Sequence, residues 1–295
     1  MPASIDLSLE APGVAAPVAE GLWILATRHH GGGFTRFPEA NNRAVILRLE
    51  HPDTGPGLVV VNATDPAQSF EPLRDLCRST GLDVTYVISP GGGHHSYLGP
   101  WHDAFEGAQI LIGAERVPRT ANGRALLQRP RVAVMDRADP LPWFTGQVDA
   151  VTFTGLLGAK EFPSPTEGAP DSIGRMMKAL WHLNVPSDPY DELWLHHVAS
   201  STVLAGENLA PYWTAEAHSL MPWMVRIAVK AENVAVATAA RKVHDKAAVA
   251  AAWRAVVAWP ARHLLHYHGT VGGAFEGDVS SALRAAAVAA KELPA

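Results

Sequence analysis

Val87-Ile-Ser-Pro-Gly-Gly-Gly-His-His-Ser-Tyr-Leu-Gly99 carries more information than any other stretch of this chain. The residues that lead into it, Val84-Thr-Tyr-Val-Ile-Ser89, are β-branched and aromatic and predict a strand. That strand runs directly into Pro90 and three glycines, and the loop then presents His94, His95, Ser96 and Tyr97. Imidazoles offered by a flexible loop at a strand end suit metal ligation or a polar pocket wall. A phosphate cradle does not fit, because the Gly-x-Gly-x-x-Gly spacing fails and no Lys follows.

Working outward, short apolar runs at Leu22–Ala26, Arg43–Leu49 and Leu58–Asn62 predict a strand meander before the loop. Phe70, Leu73, Leu76 and Cys77 are spaced for a helix over Phe70–Ser79, with Cys77 on its apolar face. Trp101–Phe105 followed by Gln109–Ile112 reads as a second β-α-β passage, which favours parallel pairing. Further strands are predicted at Val132–Met135, Val148–Phe153, Lys178–Leu183, Glu192–His196 and Thr202–Ala205, with a long loop over Glu161–Arg175. Helices are expected over Ala215–Val229, Asn233–Val243 and Lys246–Trp259, then a strand over Arg262–Tyr267 and a closing helix over Asp278–Glu292. Two sheets sandwiched between helices follow from that order.

Composition narrows the partners. Of 295 residues, 47% are hydrophobic and 18% charged, which describes a globular chain with a sizeable core. A net charge of −5 gives no footprint for nucleic acid or an anionic membrane. No apolar run reaches spanning length, the N-terminus carries no signal-peptide pattern, and the lone Cys77 cannot form an internal disulfide. A cytoplasmic protein acting on a small-molecule substrate, with a homo-oligomer left open, is the expectation.

The loop resembles the metal loop of the metallo-β-lactamase superfamily, where a strand ends in His-x-His-x-Asp-His-x-Gly. Leu98-Gly99 matches the closing x-Gly, and counting back puts Gly92 at the first His, His94 at the second, Ser96 at the Asp and Tyr97 at the last His. It also resembles a divergent branch whose loop reads Asn-x-x-His-His. Asn42-Arg43-Ala-Val-Ile-Leu and Gly57-Leu-Val-Val-Val-Asn62 look like the family's opening hairpin. Leu204-Ala-Gly-Glu207-Asn208-Leu209 looks like the strand ending in Thr-Gly-Asp-x-Leu, and His266-Tyr267-His268-Gly269 like the final Gly-His-Gly. The remaining family histidine belongs near Pro186-Ser-Asp-Pro189, which has none.

The resemblance implies a four-layer αββα sandwich of the metallo-β-lactamase type, one domain over residues 1–295 with a helical insertion about 211–259. It implies His94, Glu207 and His268 as ligands of at most one zinc or iron ion, with an open position for water. A metal-dependent hydrolase of an ester, lactone or amide follows, with the general base unassigned. The alternative is a metal-free, non-catalytic binding or oligomerisation module, which the loss of most ligands favours.

Each residue also has an ordinary structural reading. His94 and His268 can cap a turn or a strand end, and Glu207 can be solvated or cap a helix. Tyr97 either packs or orients an oxyanion at the emptied second-metal position. His29-His30 would form a pocket wall or a supplementary ligand, whereas His196-His197 lies on a strand that sends the two rings to opposite faces. His30-Gly-Gly-Gly-Phe34 spells a lipase-like oxyanion-hole signature, but no Gly-x-Ser-x-Gly elbow accompanies it. Trp143, Trp213 and Trp223 are candidates for an apolar pocket wall.

Overall fold

Residue alternation along the strands decides which layer covers each face. The computed structural model describes residues 5–28, 41–91, 96–158, 188–210, 214–219, 231–237, 241–269 and 272–294. The strands are β1 (Ala15–Ala19), β2 (Leu22–Arg28), β3 (Asn41–His51), β4 (Gly55–Val61), β5 (Val84–Ile88), β6 (Gln109–Ile112) and β7 (Val132–Val134). They continue as β8 (Val148–Gly158), β9 (Asp188–His197), β10 (Thr202–Ala205), β11 (Arg241–Val243), β12 (His263–His266), β13 (His268–Gly269) and β14 (Phe275–Glu276). The α-helices are α1 (Pro66–Thr80), α2 (Leu98–Ala104), α3 (Ala121–Leu126), α4 (Ala215–Ser219), α5 (Lys246–Val256) and α6 (Val279–Ala289).

One sheet has the order β1-β2-β3-β4-β5-β6-β7, antiparallel through β4 and parallel from β4 to β7. The other runs β11-β8-β9-β10-β12-β14, with β10 and β12 parallel. Between the sheets pack Val45, Leu47 and Leu49 of β3 with Leu193 and Leu195 of β9, Leu204 and Leu265. The opposite face of the first sheet, through Ala44, Ile46, Val60 and Val87, meets Leu73 and Leu76 of α1 and Leu98 and Trp101 of α2. The opposite face of the second, through Phe153, Trp194 and Val203, meets Val249 and Trp253 of α5 and Leu283 of α6. The result is the αββα sandwich.

Capping sets where the helices begin. Asp65 accepts from the Ala67 amide ahead of Pro66, so α1 starts one turn before its apolar stripe, and Gly81 closes it at φ 68°. Asp245 and Asp278 cap α5 and α6 in the same way.

The structure corrects part of the sequence reading. The described residues of Asn233–Val243 are not helical: Val236 bridges Leu209, and Arg241–Val243 pairs with β8. Val234, Val236 and Val243 pack on the outer core of the second sheet, so tertiary contact overrides the alanine-rich local pattern. The predicted strand Arg262–Tyr267 is present as β12 in the second sheet, and the residues just past it, β13, cross to pair with β3 in the first. Lys178–Leu183, Glu161–Arg175 and the distal part of Ala215–Val229 lie outside the described residues. Among the described residues, no helix is long and apolar enough to cross a membrane.

Candidate functional site

Several strand ends meet at one rim of the sandwich. Beyond β5, Gly91 forms a bridge to Glu192 of β9, and the Leu193 amide donates to Pro90 O at 2.6 Å. Beyond β4, Asn62 adopts φ 70°, its amide donates to Ile88 O at 2.9 Å, and its Nδ2 donates to Asn42 Oδ1 at 2.7 Å and Arg43 O at 2.8 Å. Asn42 in turn pairs with His268 of β13. The first sheet's loop exits and the crossing strand of the second are therefore tied together by short polar contacts.

Glu207 and His268 come to this rim from neighbouring strands. The parallel register of β10 and β12 ends at Ala205↔His266, and the two residues stand two positions beyond that pair, both half-buried. His266 is committed elsewhere: its Nε2–H donates to Leu209 O at 3.0 Å and its Nδ1 accepts the His268 amide at 2.8 Å. Both ring nitrogens are thus engaged in hydrogen bonds, which leaves His268 as the ligand candidate just past this strand. The crossing itself is pinned by Arg43, which donates to His266 O at 3.1 Å and forms a fully buried bidentate pair with Glu10 at 2.6 and 3.0 Å.

The third ligand candidate, His94, lies outside the described residues, as do His95, His29, His30, Trp213 and Trp223. Tyr97 is described: it is 38% exposed at the start of α2. Burial of its ring, and then the charge of Asp65, push its hydroxyl pKa up, so it stays a proton donor. Trp143 is 37% exposed, stacked on Tyr86 with centroids 5.9 Å apart, and belongs to an aromatic cluster with His51 and Phe144. His196 and His197 do face opposite ways. His196 stacks on Trp259 and donates from Nδ1 to Asp149 at 2.9 Å, while His197 hydrogen-bonds Ser200 at 2.8 Å.

Two acids that sequence reasoning passed over sit at the centre of the rim. Asp191 is 2% exposed, and its Oδ2 accepts the amides of Ala114 and Glu115, at 2.5 and 3.2 Å, just beyond β6. Burial raises its pKa against the pull of those two amides. Glu192 is 1% exposed, accepting the Asn208 amide at 2.9 Å and the Trp194 indole at 2.6 Å. Burial, and then the Glu192 charge, push the Tyr267 hydroxyl well above its ordinary pKa. Consecutive acids opening an otherwise apolar strand, Tyr190-Asp-Glu-Leu-Trp-Leu195, were the available signal.

By donor chemistry, one carboxylate and two imidazoles would suit zinc or iron, and Glu207 and His268 are the two described members of that candidate set. Among the described residues, no group of three or more His, Cys, Asp or Glu is placed to hold a metal ion. An open groove of about 940 Å³ lies elsewhere, between Gly13–Ala15 and α1, and neither Glu207 nor His268 lines it.

No protein-family model matches the chain, and no curated protein matches it in sequence. Solved structures do match. The chain is similar to a metallo-β-lactamase from Hirschia baltica, with TM-score 0.50 and 11% identity over 95% of this chain and 97% of that one. It is similar to the fragment 1–254 of diflavin flavoprotein A 5 from Nostoc sp. PCC 7120, with TM-score 0.51 and 11% identity over 93% and 94% of the two chains. Against the metal-soaked Flv1 flavodiiron core from Synechocystis sp. PCC6803 the TM-score is 0.49 at 12% identity, covering 92% of this chain and 59% of that one. At such identities the likeness is one of architecture: the chain is a divergent protein of the metallo-β-lactamase fold.

Proposed function

We propose that this is a divergent metallohydrolase-like protein that holds one zinc or iron ion through His94, Glu207 and His268 and acts on a small-molecule ester, lactone or amide. The observation that supports the reading is that β10 and β12 run in parallel register as far as Ala205↔His266, with Glu207 and His268 each two residues further on, at the rim that β5 reaches through the Gly91–Glu192 bridge. An ion held there would supply Lewis acidity and lower the pKa of a water. The Tyr97 hydroxyl, kept protonated and exposed, is suited to donate to a developing oxyanion. The whole chain forms one domain in this reading, with a helical insertion about 211–259.

The test is metal content by mass spectrometry on tag-free protein, beside a His94→Ala/His268→Ala double variant. Near-stoichiometric zinc or iron in the wild type, lost in the variant, supports the site. Metal-free protein after reconstitution overturns it. Gly92, Ser96 and Tyr97, standing where the superfamily has ligands, then favour the second reading, a non-catalytic binding or oligomerisation module.

A further inference from the structure

β9 brings two adjacent acids into a buried strand, and the proposed function uses neither of them. We propose that Glu192 is the positioning residue of this site: its carboxylate fixes the Gly206–Asn208 turn, and its backbone meets the start of the glycine-rich loop, so that it sets where Glu207 stands. The inference rests on the reading of Glu207 as a metal ligand.

Four observations converge on Glu192. Its Oε2 accepts the Asn208 amide at 2.9 Å, one residue past Glu207. Its Oε1 accepts the Trp194 indole at 2.6 Å, which locks the carboxylate in one orientation. Its backbone bridges Gly91, three residues before His94, so a single residue touches both ligand-bearing loops. Gly206 makes room for it: a Cβ there would lie 2.6 Å from Glu192 Oε1 and 3.2 Å from the Tyr267 ring. Asn208 is held a second time, its Oδ1 accepting the Tyr190 hydroxyl at 3.0 Å, so the turn is fixed through main chain and side chain together.

The Asn208 amide and the Trp194 indole are both donors, so each carboxylate oxygen has to accept. A glutamine in place of Glu192 can accept from one of these donors, but its amide then points N–H at the other. Glu192→Gln therefore keeps the volume and breaks the bracket. Gly206→Ala displaces the same carboxylate without altering it, and serves as the second variant should the first fail to fold. Trp194→Phe removes one bond but leaves the Asn208 contact in place.

The experiment is cobalt(II) binding to the full chain, read by the visible d–d spectrum and chelator competition, together with amide exchange at Asn208 in metal-free protein. Glu192→Gln and Gly206→Ala are expected to weaken cobalt binding by about 10–100-fold and to shift the spectrum, as loss of a group orienting a ligand does. Trp194→Phe is expected to stay within about threefold of wild type, well short of that range. Asn208 exchange should quicken at least about tenfold in Glu192→Gln. Wild-type cobalt affinity in both variants overturns the proposal while leaving the metal reading intact. If the wild type binds no cobalt, the metal reading falls, and exchange decides the bracket alone: unchanged Asn208 exchange overturns it, faster exchange supports it.

Discussion

His197 shows how a single buried ring makes the fold sensitive to pH. Only 3% of it is exposed, and burial, then the neighbouring His196, lower its pKa from 6.5 to about 4. The ring is therefore neutral in the fold, and its Nδ1–H can donate to Ser200, whose hydroxyl donates onward to Thr202. The sign follows from linkage: between pH 6.5 and 4 the unfolded chain binds the proton and the folded chain resists it. Stability is thus intact above pH 6.5 and falls as the solution is acidified toward pH 4. A depression of this size is worth about 3 kcal/mol at full development. His197→Asn keeps a donor for Ser200 and does not titrate. Urea denaturation across that pH range should show wild type losing about 3 kcal/mol more than the variant, and parallel curves for the two proteins would sink the argument.

At the scale of elements, the position of β13 depends on one ion pair. Arg43 and Glu10 are both fully buried, and between them they tie together the N-terminal segment, β3, the β12–β13 crossing and the Gly272 amide. Removing one partner leaves the other charge buried without its counterion, which costs about 3–5 kcal/mol. Glu10→Ala should therefore lower the stability read from urea denaturation by that amount, whereas a surface pair such as Arg74–Glu71 should cost under about 1 kcal/mol when broken. A loss of under about 1 kcal/mol in Glu10→Ala would mean that the crossing is held by packing instead. The same crossing shows what was legible in the sequence. Val84–Ser89, the β-α-β passage to Gln109–Ile112 and the pairing-prone runs in between announce themselves by local composition. His266-Tyr267-His268-Gly269 has the composition of one continuous strand, and its change of sheet is decided by Arg43 and Asn42, more than two hundred residues earlier. The Asn233–Val243 segment fails as a helix for the same kind of reason, since Val236 finds Leu209 and β11 finds β8. Asp191 and Glu192 were missed because, beside the Trp194 indole, the partners described for them are the amides of Ala114, Glu115 and Asn208, backbone groups with no residue-type signature.

Across the whole molecule, the proposed ligands do not belong to one layer. His94 follows β5 of the first sheet, Glu207 follows β10 of the second, and His268 sits on the strand that passes from the second sheet to the first. An ion shared by these three would join the sheets at the rim, adding to the β13–β3 pairing, the Gly91–Glu192 bridge and the Asp191 contacts beyond β6. Its binding would then be linked to global unfolding as well as to the local order of a loop. A ligand present at about a hundred times its dissociation constant stabilises the folded state by roughly 2.7 kcal/mol. For a chain of this length that amounts to a rise of several degrees in Tm, since roughly 1 kcal/mol shifts a large domain by about 2–4 °C. Thermal melts of the wild type with added zinc should therefore shift upward and return on chelation, while the His94→Ala/His268→Ala variant should melt at one temperature throughout. A wild type that holds metal yet shows no such shift would place the ion on an element that does not bridge the sheets, and Glu207 and His268 could not then be serving it together.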